Sequence, residues 1–126
     1  MSKTYTLTLS EEQADLLVRA LDLYSRIGIG QFEEILSIYD PIGSAEAHDA
    51  ARQLLNRVKA VYGHPANGSY GIHHEKVRDE FRQAYDIQQV LRNRLALDRN
   101  PKGGYTVDFD EPRQISQLPL PGIKSE

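Results

Sequence analysis

The chain contains no cysteine and no tryptophan. Without cysteine it has no disulfide framework, no thiol nucleophile and no zinc or iron–sulfur site ligated by thiolates. Its uninterrupted apolar runs are only a few residues long, and residues 1–12 lack an apolar signal core, so the sequence predicts neither a membrane span nor a secretory signal. We therefore expect a soluble, cytoplasmic protein.

The sequence also lacks an excess of positive charge. Its 126 residues include 15 Lys and Arg against 18 Asp and Glu, a net charge of -3. Duplex DNA and anionic membranes bind proteins of net positive charge more tightly, so this composition argues against nonspecific binding to either. A single local basic site remains compatible with the composition. A single domain of this length exposes much of its surface and often buries part of it against a partner subunit. We therefore expect a homo-oligomer.

Two segments alternate apolar and polar residues, the pattern of half-buried strands. They are residues 4–9, TYTLTL, and residues 105–110, YTVDFD. Because the two segments are natural pairing partners, the sequence predicts an α+β fold: a mostly helical single domain with a small antiparallel sheet formed by the N-terminal and C-terminal strands. The domain is expected to span residues 1–111, followed over residues 112–126 by a proline-containing arm that is disordered or laid on a neighbour.

Apolar residues at helical spacing predict four helices. Their expected ranges are about 10–27, 32–39, 44–62 and 75–98. In the third helix the predicted buried face consists of Ala47, Ala51, Leu54, Leu55, Val58 and Tyr62. Between the first two helices, the segment RIGIGQ predicts a kink or a close-contact turn, because glycine disfavours a helix interior.

The last predicted helix carries a stripe of arginines. At 100° per residue, Arg78, Arg82, Arg92 and Arg99 fall on one side, with Tyr85 among them. Guanidinium groups fork onto phosphate oxygens and stack on flat rings, so this stripe suits a phosphate-bearing nucleotide. The alternative is a solvated helix face with salt bridges to acids of the same chain.

The loop before this helix is the second candidate site. Residues 63–74, GHPANGSYGIHH, form the longest internal loop, and long loops in small domains are often functional. Tyr70 could stack on a base, while His73 and His74 could donate to a phosphate; alternatively Tyr70 packs and the histidines are surface residues. Adjacent histidines rarely ligate one ion, so we expect neither a metal site nor a cofactor.

Two further groups complete the candidates. Asp108 and Asp110 share one side of the predicted second strand and, with Glu111, could bind a cation, a ribose hydroxyl or a neighbour's arginine; the alternative is the polar face of an edge strand. Arg26 beside the glycine pair could bind a small anion or another subunit, or simply oppose the helix dipole.

The sequence contains no nucleophile elbow, zinc-protease, P-loop or dinucleotide motif, so it does not support an enzyme.

Four motifs together carry a resemblance to a known family. They are LDLYSRIGIGQFEEI, HPANGSYGIHHEKV, QAYDIQQVLRNRL and GGYTVDFDEP. Their order resembles that of the phage-encoded Thoeris anti-defence sponge proteins over nearly the whole chain. The resemblance implies a non-enzymatic protein in the host bacterial cytoplasm that binds cyclic nucleotide immune signals, such as glycocyclic ADP-ribose or cyclic di- or trinucleotides, without cleaving them. It also implies a homo-oligomer, dimer-based or hexameric, with pockets between subunits.

The same resemblance assigns roles to individual residues. It implies Arg92 as the pocket arginine, Tyr70 as the stacking ring and His74 as a polar loop contact, with Tyr62 or Tyr85 as alternative rings. Arg26 and Arg57 would form a second cyclic-nucleotide site.

Two other functions remain open on the sequence. One is a small phage protein-interaction module that inhibits a host factor through a helix face or the proline-containing arm. The other is sequence-specific nucleic-acid binding through the last helix, which the acidic overall charge disfavours.

Overall fold

The computed structural model describes residues 3–39, 43–65 and 68–126, and more than half of these are helical. The elements are α1 (Glu11–Gly28), α2 (Glu34–Tyr39), α3 (Ala45–Val61), α4 (Asp79–Arg99) and a short 3-10 turn (Val107–Phe109). The predicted end of the second helix at Asp40-Pro41 lies outside the described residues. No helix in the described ranges combines the length and the apolar character that a bilayer crossing requires.

The prediction of an α+β fold is wrong, because the described residues contain no strand. Residues 4–9 have no regular secondary structure, and residues 107–109 form the 3-10 turn. The side-chain amide of Asn93 on α4 donates to the carbonyls of Asp108 and Asp110, each at 3.1 Å. These carbonyls are therefore already bound to a helix, and the alternating segment cannot use them to form a sheet.

Helix α1 begins and ends where local chemistry predicts. Ser10 Oγ accepts from the Gln13 amide at 3.1 Å, and Gln13 Oε1 accepts from the Ser10 amide at 2.9 Å, which completes a capping box. At the other end, a Cβ on Gly28 would overlap the Phe81 ring, and Gly30 has a φ of 99°. Of the two predicted alternatives, a kink or a close-contact turn, the turn forms at residues 29–30, directly after α1 ends at Gly28.

The core lies between α1 and α4, which run antiparallel. At one end the Tyr24 hydroxyl donates to Glu80 at 3.1 Å; at the other Arg99 donates to Glu11 and Asp15, both at 2.6 Å. The fully buried apolar residues are Ala14, Leu36, Val77, Ala84, Val90 and Leu91. This antiparallel pair is the scaffold that positions the loop between α3 and α4.

The C-terminal arm is bound to α4 of its own chain, at residues 115–117 and again through Ser125, whose hydroxyl donates to Asp98 at 3.1 Å. The side chain of Asp86, 2% exposed, accepts from the backbone amides of Ile115 at 2.9 Å and Ser116 at 3.1 Å. Asp79, two turns earlier on α4, accepts from the Gln117 amide. The expectation that the arm is disordered or laid on a neighbour is therefore wrong for residues 115–117, because two α4 carboxylates bind their amides.

Helix α3 is oriented against expectation. Leu54, Val58 and Tyr62, predicted to be buried, are exposed, whereas Lys59 is 1% exposed. Ala47 is also exposed, and Ala51 and Leu55 are only half-buried. The reason is that α3 packs on α2, and within the described residues it does not pack on α1 or α4.

Candidate functional site

The loop between α3 and α4 lies beside the turn that ends α1. The Tyr70 amide donates to the Ile29 carbonyl at 2.8 Å, and the Tyr70 hydroxyl donates to the Gly63 carbonyl at 2.9 Å. Arg26 Nη1 donates to Gln31 Oε1 at 3.0 Å, and Gln31 Nε2 lies 3.5 Å from Ser69 Oγ. Hydrogen bonds thus connect Arg26 to the loop that carries Tyr70, although the sequence placed these residues in separate sites.

Aromatic rings stack within this loop. The Tyr70 and His74 rings are stacked, with centroids 4.4 Å apart and an interplanar angle of 23°. His64 approaches the Tyr70 ring at 5.4 Å, and Lys76 Nζ lies 5.9 Å from the centroid of that ring. We call Arg26, Tyr70, His74 and Lys76 the loop cluster. It combines flat rings with two cations, the side-chain types that contact bases and phosphates.

Arg82 supports the loop and does not point into open solvent. Its side chain is 15% exposed. Nε donates to the Ile72 carbonyl and Nη2 to the His74 carbonyl, both at 2.9 Å, while Nη1 lies 3.6 Å from Asp79. The guanidinium group is thereby committed to holding the loop backbone on α4.

Arg78 is more accessible but already has partners. It precedes α4, forms an ion pair with Glu80 and lies 5.6 Å from the centroid of the Phe81 ring. Its side chain is 74% exposed, so solvent screens the ion pair. Arg78 therefore remains available to a ligand at the edge of the loop cluster.

Arg92 lies elsewhere on α4. It is ten residues beyond Arg82, or about 15 Å along a helix. Its Nε is 3.2 Å from Asp108 Oδ1 but outside hydrogen-bond geometry, and this buried atom has no hydrogen-bond partner among the described residues. The Arg92–Asp108 pair is thus a second location, distinct from the loop cluster within one chain.

The arginines of the stripe form salt bridges with acids of the same chain, which was the alternative to a nucleotide site. Each of its four arginines has a carboxylate partner of the same chain: Glu80 for Arg78, Asp79 for Arg82, Asp108 for Arg92, and both Glu11 and Asp15 for Arg99. Helical spacing predicts the four arginines on one side, although Arg78 precedes α4. It could not show the acids, which for Arg92 and Arg99 come from outside α4.

The remaining candidates are spread over the surface. Arg57 is exposed on α3, and Asp110, Glu111 and His73 are exposed in loops. The alternative rings differ from each other, since Tyr62 is exposed and Tyr85 is half-buried. The structure thus does not bring Arg57 and Arg26 into one second site through any hydrogen bond or ion pair of the described residues.

The electrostatics of the loop cluster fix the charge of Arg26. Burial alone would lower its pKa, but the hydrogen bond to Asp22 at 2.9 Å, with the charges of Asp22 and Glu34, outweighs burial and raises the pKa. Arg26 is therefore a permanent cation that the α1 and α2 carboxylates hold in place.

Sequence reasoning missed Lys59 and His64, which support the loop from below. Lys59 Nζ donates to the Gly68 carbonyl at 2.5 Å and lies 3.9 Å from Glu33. The His64 ring meets Phe32 edge-on at 5.4 Å, and burial, followed by the charge of Lys59, lowers its pKa. No pattern in the sequence marks either residue, because a lysine on an amphipathic helix is ordinarily assigned to the solvent side.

The described residues contain no cluster of metal-ligating side chains, and the comparisons with known proteins found no relative. Across residues 3–39, 43–65 and 68–126, no three His, Asp or Glu side chains group as a metal ion would need. Comparison of the chain with protein-family models, curated proteins and solved structures gave no match.

Proposed function

We propose that this protein binds a small anionic cyclic nucleotide and sequesters it without cleaving it. The class is that of the cyclic nucleotide immune signals, glycocyclic ADP-ribose or cyclic di- and trinucleotides. The observation that carries the proposal is the Tyr70–His74 ring stack, 4.4 Å between centroids, with the Lys76 ammonium group 5.9 Å from the Tyr70 centroid.

The chemistry of the loop cluster fits such a ligand. A base gains about 1–3 kcal/mol from stacking on an aromatic side chain. Phosphate oxygens accept charge-assisted hydrogen bonds from ammonium and guanidinium groups. Lys76 is exposed and has no carboxylate partner among the described residues, so it adds an uncompensated charge beside the rings.

Arg92 belongs to this proposal as a phosphate contact. The supporting observation is its buried Nε, which lies beside Asp108 without a hydrogen bond to any described residue. Arg92 lies about 15 Å along α4 from Arg82, which binds the loop that carries Tyr70, so a pocket that uses both Arg92 and Tyr70 would draw them from two subunits. That arrangement agrees with the interface pockets that the family resemblance implies.

Calorimetry with a panel of cyclic nucleotides tests the proposal. We expect heat of binding from at least one of them. Tyr70→Ala, Lys76→Ala and Arg92→Ala should each weaken the affinity by about tenfold or more, which corresponds to about 1.4 kcal/mol. Tyr70→Phe keeps the ring and loses only the hydroxyl bonded to Gly63, so it should retain binding.

Tyr105→Ala is the matched control, because that ring is fully exposed and lies after α4. Circular dichroism verifies that each variant keeps its helices. A flat calorimetric trace with every nucleotide would refute the proposal. Recovery of chemically intact ligand from the heated complex would establish sequestration, whereas recovery of a hydrolysed product would identify an enzyme.

The second candidate is a protein-interaction module that acts through the end of the arm. The observation that favours it is the exposure of Ile123, an apolar residue near the end of the arm. Removal of residues 119–126 leaves the contacts of Asp86 and Asp79 intact, so the truncated chain should fold. Loss of partner capture from a host lysate, with unchanged nucleotide binding, would favour this alternative.

A further inference from the structure

Polar side chains along one side of α4 bind the backbone of the segment that follows this helix. Asp79, Asp86 and Asn93 are spaced by seven residues, about two turns, so they share that side. Asn93 donates to two carbonyls of residues 108–110, and the two aspartates accept from three amides of residues 115–117. We call residues 108–117 the strap. It runs along α4 toward the N-terminal end of the helix, where the loop cluster lies.

The strap and the loop between α3 and α4 share one carboxylate. The two carboxylate oxygens of Asp79 lie 3.3 and 3.2 Å from the amide nitrogen of Gln117. Asp79 Oδ1 also lies 3.6 Å from Arg82 Nη1, and Asp79 Oδ2 accepts from Gln83 at 3.1 Å. The Gln83 bond, followed by those of Gln117 and Arg82, lowers the pKa of Asp79, so this carboxylate is ionised. Asp79 is thus an anion between the end of the strap and the Arg82 guanidinium group.

Arg82 connects Asp79 to the loop cluster. Its Nε donates to the Ile72 carbonyl and its Nη2 to the His74 carbonyl, both at 2.9 Å. The side chains of Arg82 and Asp79 are 15% and 27% exposed, so solvent screens their ion pair only in part. A continuous series of contacts therefore joins the strap to the backbone of His74, whose ring belongs to the loop cluster.

We infer that docking of the strap on α4 holds the loop cluster in place, and that detachment of the strap loosens the loop and weakens its affinity for an anionic nucleotide. The amide of residue 117 binds the Asp79 carboxylate and holds it beside Arg82. Once the strap leaves, water hydrates Asp79, and a solvated ion pair contributes little. Arg82 then loses the partner that orients it toward the two loop carbonyls. The effect on affinity rests on the proposed function, whereas the effect on the loop does not.

The strap has two accessible states, docked and detached. Beyond the 3-10 turn, residues 110–117 belong to no helix or strand. Segments of this kind open locally at a lower free energy than packed helices. The balance between the two states therefore sets the order of the loop. By linkage, a ligand of the loop cluster favours the docked strap by the same factor by which docking favours the ligand.

Hydrogen exchange on the full chain without a ligand tests the coupling. Gln117→Pro removes the amide that binds Asp79, whereas Gln117→Ala keeps this amide and is the matched control. The amides of His74 and Val77 donate within the loop and report its opening. Their exchange should accelerate by about threefold in Gln117→Pro, the size expected from a weakened, partly exposed ion pair. It should stay unchanged in Gln117→Ala, and circular dichroism establishes that both variants keep their helices.

The Asp79→Ala background identifies the route of the coupling. Asp79→Ala alone should accelerate exchange at His74 and Val77. Gln117→Pro should add nothing in this background, because the shared carboxylate is already absent. Unchanged loop exchange in Gln117→Pro would overturn the inference. A full additional effect in the Asp79→Ala background would overturn it equally, because the strap would then act on the loop by another route.

Calorimetry extends the test to the ligand. A cyclic nucleotide that binds the unmodified chain should bind Gln117→Pro about threefold more weakly and Gln117→Ala equally well. Equal affinity of Gln117→Pro, despite accelerated loop exchange, would overturn the inference for the affinity. If no nucleotide binds the unmodified chain, the proposed function fails, and loop exchange alone decides whether the strap holds the loop.

Discussion

His64 links the ring cluster to the buried lysine below it. Its ring contacts those of Phe32 and Tyr70, each with centroids 5.4 Å apart, and its buried Nδ1 has no hydrogen-bond partner among the described residues. Burial and the charge of Lys59 both disfavour the imidazolium form, so the pKa of His64 lies below its ordinary value. The folded state consequently resists a proton that the unfolded chain accepts.

This shift predicts a loss of stability in mild acid. The effect begins as the pH falls below about 6.5, the ordinary histidine value, because the unfolded state then binds more protons. It is complete once the pH passes below the folded-state pKa. Urea unfolding at a series of pH values should show the free energy of unfolding falling with acidification. His64→Phe, which keeps a ring and removes the titration, should flatten this dependence, whereas the exposed His73→Gln should not.

At the scale of elements, one α4 carboxylate binds two of the three arm amides that are held on this helix. Asp86 on α4 accepts two backbone amides of the arm, at 2.9 and 3.1 Å, and is almost fully buried. The backbone amides of residues 115 and 116 lie outside any helix or sheet, so the Asp86 carboxylate accepts the hydrogen bonds that secondary structure would otherwise accept. The arm is therefore part of the folded core over residues 115–117.

Asp86→Ala should detach this segment. Leaving buried amide donors unsatisfied costs about 1–3 kcal/mol, and the free energy of unfolding should fall by about that amount. Hydrogen exchange at Ile115 and Ser116 should accelerate, which is the direct readout of detachment. Asp110→Ala, an exposed aspartate, is the control. Unchanged exchange at Ile115 in Asp86→Ala would show that the arm is held by other contacts.

The fate of the alternating segments is also decided at this scale. The pattern YTVDFD is typical of a strand, yet its centre forms a 3-10 turn because Asn93 on α4 binds the carbonyls of Asp108 and Asp110. Alternation reports which side chains can share a side, but it does not supply the neighbouring strand that a sheet needs. The prediction that residues 4–9 form a strand is wrong, because these residues have no regular secondary structure.

At the scale of the whole molecule, the chain divides into a packed pair and an outlying helix. Helices α1 and α4 share the core and are closed at both ends by hydrogen bonds. Helix α3 contacts α2 and the loop between α3 and α4, and it exposes the apolar side chains of Leu54, Val58 and Val61. Local stability follows the density of buried contacts, so these parts should differ in their opening free energy.

Hydrogen exchange should resolve this difference. Amides of α1 and α4 should exchange slowly. Amides of α3 should exchange faster than those of α1 and α4, because among the helices of the described residues α3 packs only on α2. If α3 exchanged as slowly as α4, its packing on α2 would suffice to stabilise it, contrary to this expectation.

The candidate site could be predicted from the sequence only in part. The loop with Tyr70 and His74 was identified because glycine, asparagine and proline mark loops, and a loop of that length in a small domain is unusual. The arginine stripe was identified by helical geometry. The carboxylates facing Arg92 and Arg99, and the lysine and histidine beneath the loop, were missed because no local pattern encodes contacts between distant segments.

The sequence by itself determined the positions of α1, α2, α3 and α4, the capping of α1 by Ser10 and the close turn at Gly28. These features depend on interactions within a few residues or on the backbone freedom of glycine, both of which can be read along the chain. Tertiary structure alone decided that no sheet forms, that the arginines meet acids of the same chain and that α3 turns Lys59 inward. These outcomes depend on which distant residues bury or hydrogen-bond each other in the folded chain. The periodicity of the sequence carries no information about contacts between distant residues.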